Sequence, residues 1–334
     1  MIDFRYHLVS IIAVFLALAV GLVVGATALA PKTEVILSRL QTELSKQNGN
    51  LSKDKQALSN QVSADQIFAQ AAGPRLLPGL LTGEKAVLVV APGADSAVTT
   101  GVTTVLHQAG ASVTGVINLS SSFVGTGGQN EATLTQLAQS LAAQAGVTLP
   151  TRSTSPVGGQ QDAAQVLAAT LLTRDSASGL SSGRSHAILN AFSVAGFLSI
   201  GSGGSSVRPA TIAVLVTPGG VAPQTGSEVL VAVAVALRNA GSGTVMAGAA
   251  ASIGAGSVIS AENSAGQVST VDNADTETGQ IMTAQALRLL LDGRAPAQFG
   301  IGPQNAPSPA PTPSVTPTPA TTITPGGWSS RRRL

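Results

Sequence analysis

The sequence predicts an α/β protein: a single N-terminal transmembrane helix, a helical stalk of coiled-coil character, and an open, mostly parallel sheet with helices on both faces. Three observations carry this. Residues 8–29 form one uncharged apolar run. Residues 32–72 are charged and polar, with leucines at 37, 44, 51 and 58. Between residues 83 and 300 short apolar runs alternate with helix-length segments across short turns, the signature of βαβ units.

The apolar run comes first. At about 1.5 Å per residue, 8–29 spans roughly 33 Å, the thickness of a hydrocarbon core. Residues 1–30 therefore read as a transmembrane anchor in a lipid bilayer. A cleaved signal peptide would have a shorter apolar core, about 7–15 residues, and a small-x-small cleavage site. Ala28-Leu29-Ala30 has that form, but the run is too long and Pro31 would follow the cut. Gly21 and Gly25 stand at the spacing that lets two membrane helices approach closely, although glycine is common in such helices anyway. Arg5 faces Asp3 before the run, and Lys32, Arg39 and Lys46 follow it. That count favours a cytoplasmic body, but long domains translocate largely regardless of charge. The expectation adopted is a single-pass protein with its main domain outside the cytoplasm, in the cell envelope.

Residues 31–72 read as the stalk. Leu37, Leu44, Leu51 and Leu58 supply one position of a heptad, but the other reads Leu40, Gln47, Asp54, Gln61 and Phe68. This is half a coiled-coil seam. Asn48-Gly49-Asn50 suggests a break in the helix. A second copy of the chain is a candidate partner for the leucine row, giving a homo-oligomer through the stalk.

Residues 83–300 read as one domain with Rossmann- or flavodoxin-like layers. The continuous apolar run at 86–91 predicts a strand buried on both faces; 113–119 reads as the next strand, 211–216 as a third, buried one, 244–249 as a fourth, and 268–271 as a short fifth. Helical patterns fall at 132–145, 162–173, 186–198 and 228–239. Ser96 is placed to cap a helix ending near Gly110, and Asp275 to cap a last helix running to Leu291 and stopped by Gly293. Strand order is not readable from the pattern.

From residue 301 to 334 the chain changes again. Pro303, Pro307, Pro309, Pro311, Pro313, Pro317, Pro319 and Pro325 alternate with Ser, Thr and Ala. Such a segment favours extended conformations and predicts a disordered tail. Ser/Thr tails with Pro occur as stalks outside the cytoplasm. Arg331-Arg332-Arg333 beside Trp328 gives this end a small basic cluster able to meet anionic lipid or wall polymer.

Composition narrows the chemistry. Only 10% of residues are charged and the net charge is +2, which leaves no basic surface for nucleic acid. The absence of cysteine excludes disulfides, thiolate metal sites and cysteine nucleophiles. His7, His107 and His186 lie far apart, and Met246 and Met282 sit in apolar context as core residues. The one acidic cluster is Val271-Asp272-Asn273-Ala274-Asp275-Thr276-Glu277. Asp272, Asp275 and Glu277 are the candidate metal ligands for a hard cation, and equally the caps of the following helix. Gly pairs at 125/127, 201/203 and 254/256 lack the third glycine of a dinucleotide site, and no phosphate-binding loop motif is present. The turn Pro92-Gly93-Ala94-Asp95 lies where ligands bind in such sheets. Gly179-Leu180-Ser181-Ser182-Gly183 matches the Gly-x-Ser-x-Gly pattern but lacks the strand that motif needs before it. No catalytic residue and no cofactor site is evident, so the chain is not expected to be an enzyme.

The opening Met1-Ile-Asp-Phe-Arg-Tyr-His-Leu-Val-Ser10, running on to Gly25, resembles the start of the mycobacterial-type copper transport protein B family. Val271-Asp272-Asn273 with Asp275 and Gly279, and the closing Phe299-Gly300, fit the same family. The likeness covers roughly residues 1–300. It implies an envelope protein of copper efflux and homeostasis, described in the family as a pore-forming outer membrane protein, with copper ion as the transported species. A helical anchor and a parallel sheet are not the alternating strands of a membrane β-barrel, and the resemblance assigns no copper ligand to particular residues. The alternative is a structural or interaction module that presents the α/β domain to proteins or polymers of the envelope.

Overall fold

The computed structural model describes residues 4–150, 157–174, 179–201, 208–220, 224–254 and 256–302. The expected Pro-rich tail lies outside them from residue 303. The chain divides into two compact units, Met1–Ile67 and Phe68–Leu334.

The first unit is helical throughout its described residues, all of them part of helix α1 (Phe4–Leu76). The break suggested at Asn48-Gly49-Asn50 is absent. An interior glycine costs only about 1 kcal/mol relative to alanine, and beyond its two asparagine neighbours stand good helix formers such as Lys46, Gln47, Leu51 and Lys53. The segment Tyr6–Gly25, with mean hydropathy 2.9, is long and apolar enough to cross a membrane. Further along, Leu44, Leu51 and Leu58 are 60%, 67% and 64% exposed in the single chain.

The second unit is built on a seven-stranded sheet. Its strands are β1 (Lys85–Val90), β2 (Ser112–Leu119), β3 (Leu198–Ile200), β4 (Ile212–Val216), β5 (Gly243–Ala247), β6 (Ser269–Val271) and β7 (Gln298–Phe299). They lie in the order β3-β2-β1-β4-β5-β6-β7. All pairs are parallel except β2–β3. The chain starts at β1, moves outward to β2 and β3, then returns to β4 on the other side of β1. That reversal is the switch point of a doubly wound sheet.

The strand period of two sends alternate side chains to two separate cores. From β1, Ala86 and Leu88 enter one core, and Val87 and Val89 the other. The first core is roofed by α2 (Ser96–Gln108) and α9 (Glu277–Leu291), together with Ala69 near the end of α1. The second lies under α4 (Gly128–Ala145), α5 (Gly158–Leu171), α6 (Ser182–Val194), α7 (Gln224–Ala240) and α8 (Val258–Ala265). Helix α5 packs against α4, α6 and α7 and is buried on nearly every side. Met246 and Met282 are buried, one in each core, as their apolar context predicted.

Several local expectations need correction. Asp95, not Ser96, caps α2, accepting from Ala97 N at 2.8 Å. Thr276, not Asp275, caps α9, accepting from Gly279 N at 3.1 Å. The helix expected to reach residue 198 stops at Val194, because Gly196 (φ +78°) turns the chain into the antiparallel strand β3. Short α3 (Ser121–Val124), α8, β3 and β7 have too few residues to show a period in sequence.

Candidate functional site

In doubly wound sheets, ligands bind outside the carboxyl ends of the strands at the switch point. Here that place lies between the ends of β1 and β4, where backbone hydrogen bonds carry the ladder past the strands. Ala91 N donates to Val216 O at 2.9 Å, and Ala94 bridges Pro218 in antiparallel fashion. Thr217 N donates to Ala247 O, Gly248 N to Val271 O, and Ala274 N to Gly248 O, each at 2.8–2.9 Å. The turn Pro92-Gly93-Ala94-Asp95 therefore contributes a cap and a bridge rather than an open cradle.

The sequence-predicted acidic residues stand at the same edge, each with a backbone or amide donor of its own. Asp272 is 1% exposed, and its oxygens accept from Ile301 N at 2.8 Å and Gly302 N at 2.9 Å. Asp275 accepts from Ala250 N at 3.0 Å. Glu277 accepts from Gln70 Nε2 at 3.3 Å. Among the described residues, no group of three or more His, Cys, Asp or Glu side chains is placed to hold a metal ion. The three carboxylates reach to three different chain segments, β7, the loop after β5 and the end of α1.

His107 on α2 and His186 on α6 are both exposed. Ser181 of the Gly-x-Ser-x-Gly match is the residue before the first turn of α6, with no side-chain bond there; part of the loop before it, 175–178, lies outside the described residues.

Two buried carboxylates were not singled out in the sequence. Burial in α5 pushes the Asp162 carboxyl above its ordinary value. Burial also raises Glu262 of α8, opposed by the N–H groups of Val268 and Gln267 and by the charge of Arg238. Glu262 is the anchor of the turn that leads into β6, with Gln267 N donating to it at 2.6 Å.

Among the described residues, two cavities of this unit stand out. One, of about 540 Å³, lies along α5 and α7 between Gln161, Gln165, Glu228, Val231, Val235 and Asn239. The other, of about 340 Å³, lies at the amino end of β5 and β6 and is lined by Arg174, Arg238, Arg294, Thr244 and Ser269.

Fold and site together define an α/β domain of doubly wound topology, preceded by a helix long and apolar enough to span a membrane. The family model described as copper transport outer membrane protein, MctB, matches residues 1–311. Copper transporter MctB of Mycobacterium bovis is 31% identical over 255 residues, covering 74% of this chain and 78% of that protein. The proteins of the same name from two strains of Mycobacterium tuberculosis match to the same extent. The chain belongs to the MctB family.

Proposed function

We propose that this protein is a membrane-anchored component of the cell envelope that contributes to copper efflux and homeostasis and catalyses no reaction. The observation that carries the reading is the family match, which runs from the apolar N-terminal helix through the whole α/β domain. Residues 6–25, long and apolar enough to cross a membrane, support the anchor, and in this reading the α/β domain lies outside the cytoplasm. Copper is the cargo in this reading.

The chemistry of the chain says how that cargo is handled. Cu(I) prefers thiolate and thioether ligands. Cysteine is absent from the sequence, and Met246 and Met282 are buried in the two cores. Copper therefore passes through an assembly or a partner rather than through ligands inside this sheet. The exposed Leu44, Leu51 and Leu58 of α1 favour association through that helix, which also suits the second reading, an interaction module for envelope partners.

A deletion strain grown across a copper series tests the proposal. Higher cellular copper and lower copper tolerance, both restored by the full chain, are expected. Unchanged copper content and tolerance, with a stable envelope partner recovered by pull-down, would leave the interaction module as the function.

A further inference from the structure

We propose that the cavity at the amino-terminal edge of β5 and β6 is a binding site for a phosphoryl group carried on a small polar molecule. The site is independent of the copper reading and lies at the opposite end of the strands from the switch point.

Three separate chain segments bring arginines to it. Arg174 follows α5, Arg238 stands in the last turn of α7, and Arg294 follows α9. Among the described residues, no carboxylate lines the cavity, and none of these arginines forms an ion pair with an acid. Three guanidinium groups brought to one cavity with no carboxylate in its described lining favour an oxyanion guest. The planar guanidinium fork matches phosphate oxygens in a bidentate way. Arg174 is positioned for this: its Nε donates to Gly241 O at 3.3 Å and its Nη2 to Asn239 O at 2.8 Å. Those bonds fix its plane and neutralise the carbonyls that end α7, while the remaining N–H groups stay available. Glu262 attracts Arg238 from behind and holds the backbone of Gln267 and Val268, so the wall of the cavity next to Arg238 is fixed.

Ser269 Oγ, which accepts from Ala297 N at 3.2 Å, adds a hydroxyl to the lining. At about 340 Å³ the space is in the range of small-molecule sites, larger than a free phosphate ion needs.

The test uses the full chain in detergent, titrated calorimetrically with inorganic pyrophosphate at low and high salt, and with vesicles of phosphatidylglycerol or phosphatidylcholine. Saturable binding that weakens with salt, and that falls about tenfold or more in Arg238→Ala/Arg294→Ala, is expected. Binding confined to phosphatidylglycerol vesicles and lost in the same variant would assign the phosphoryl group to a lipid headgroup. No saturable binding of either probe, or binding that the double variant leaves unchanged, would overturn the proposal.

Discussion

The carboxylate of Asp272 occupies the space in which a side chain on Gly300 would stand. Gly300 has φ +127°, a conformation that L side chains rarely adopt, and a Cβ there would collide with Asp272 Oδ1. The same carboxylate accepts from the next two N–H groups, those of Ile301 and Gly302. This contact ties the end of β6 to the end of β7, and the tie has topological work to perform. The connections β1–α2–β2 and β4–α7–β5 step in opposite directions over opposite faces, so they share one hand. The connection β6–α9–β7 steps the same way as β4–α7–β5 but crosses the other face, so its hand is reversed. Reversed crossovers are rare, and β7 has only two residues to hold it. We expect Gly300→Ala to cost about 2–4 kcal/mol, combining backbone strain with displacement of the carboxylate. Asp272→Ala should cost about 1–3 kcal/mol for the donors it orphans. Urea unfolding of both single variants and the double variant checks this: the double should cost clearly less than the sum, since the two changes damage one contact.

The buried Asp162 sets a pH dependence. Its carboxyl is raised by desolvation from 3.8, so the folded state holds a proton that the unfolded state releases between that value and the raised one. Stability from this group is therefore full below pH 3.8 and is lost as pH rises through the folded value. Asp162→Asn removes the titration. The variant should be more stable than the parent at pH 7, and the difference should shrink to nothing below pH 3.8. Paired denaturation curves across that range measure it, and a gap that stays constant with pH would contradict the assignment.

The leucine row on α1 gives a prediction about assembly. Leu44, Leu51 and Leu58 expose more than half their surface in one chain, which costs apolar surface that a second copy would cover. Sedimentation of the full chain in detergent should report a dimer or larger species. Replacing the three leucines by glutamine should shift it to monomer, weakening association about a hundredfold or more, on the order of 0.5 kcal/mol for each of the six leucines a dimer would lose. A parent protein that is monomeric at every concentration would exclude self-association through this row.

The fold was legible where burial imposes a period. The runs at 86–91, 211–216 and 244–249 became β1, β4 and β5, which are enclosed between two helix layers and so are almost wholly apolar, while 113–119 became β2, whose buried residues alternate with partly exposed ones. β7 was not legible, since two residues carry no period and its partner lies 28 residues upstream in β6. The acidic cluster was legible as a special place, but its use was not. Asp272 answers to Ile301 and Gly302, and Asp275 to Ala250, contacts that depend on strand order. The arginines at 174, 238 and 294 left no signal at all. Each reads in sequence as a solvated charge after or at the end of a helix, and only the sheet brings the three to one cavity.

Two helix glycines should respond to alanine by very different amounts, and the difference follows from what each one touches. Gly101 lies in the middle of α2, where a Cβ would meet only the amide end of the Gln280 side chain on α9. That side chain can turn away, although Gln280 is largely buried and gives up part of its packing. Alanine also gains about 1 kcal/mol in a helix interior. Gly101→Ala should therefore lie within about 0.5 kcal/mol of neutral. Gly279 lies in the first turn of α9, where a Cβ would strike the carbonyl of Asn273, and backbone cannot turn away. That carbonyl already accepts from Thr276 N at 3.0 Å and Thr276 Oγ1 at 2.8 Å, so moving it undoes the cap of the helix. Gly279→Ala should cost about 3 kcal/mol or more, by overpacking and loss of the cap together. Denaturation midpoints of the two variants give the comparison directly. Equal losses would mean that the α2–α9 contact is as rigid as the loop that holds Asp272.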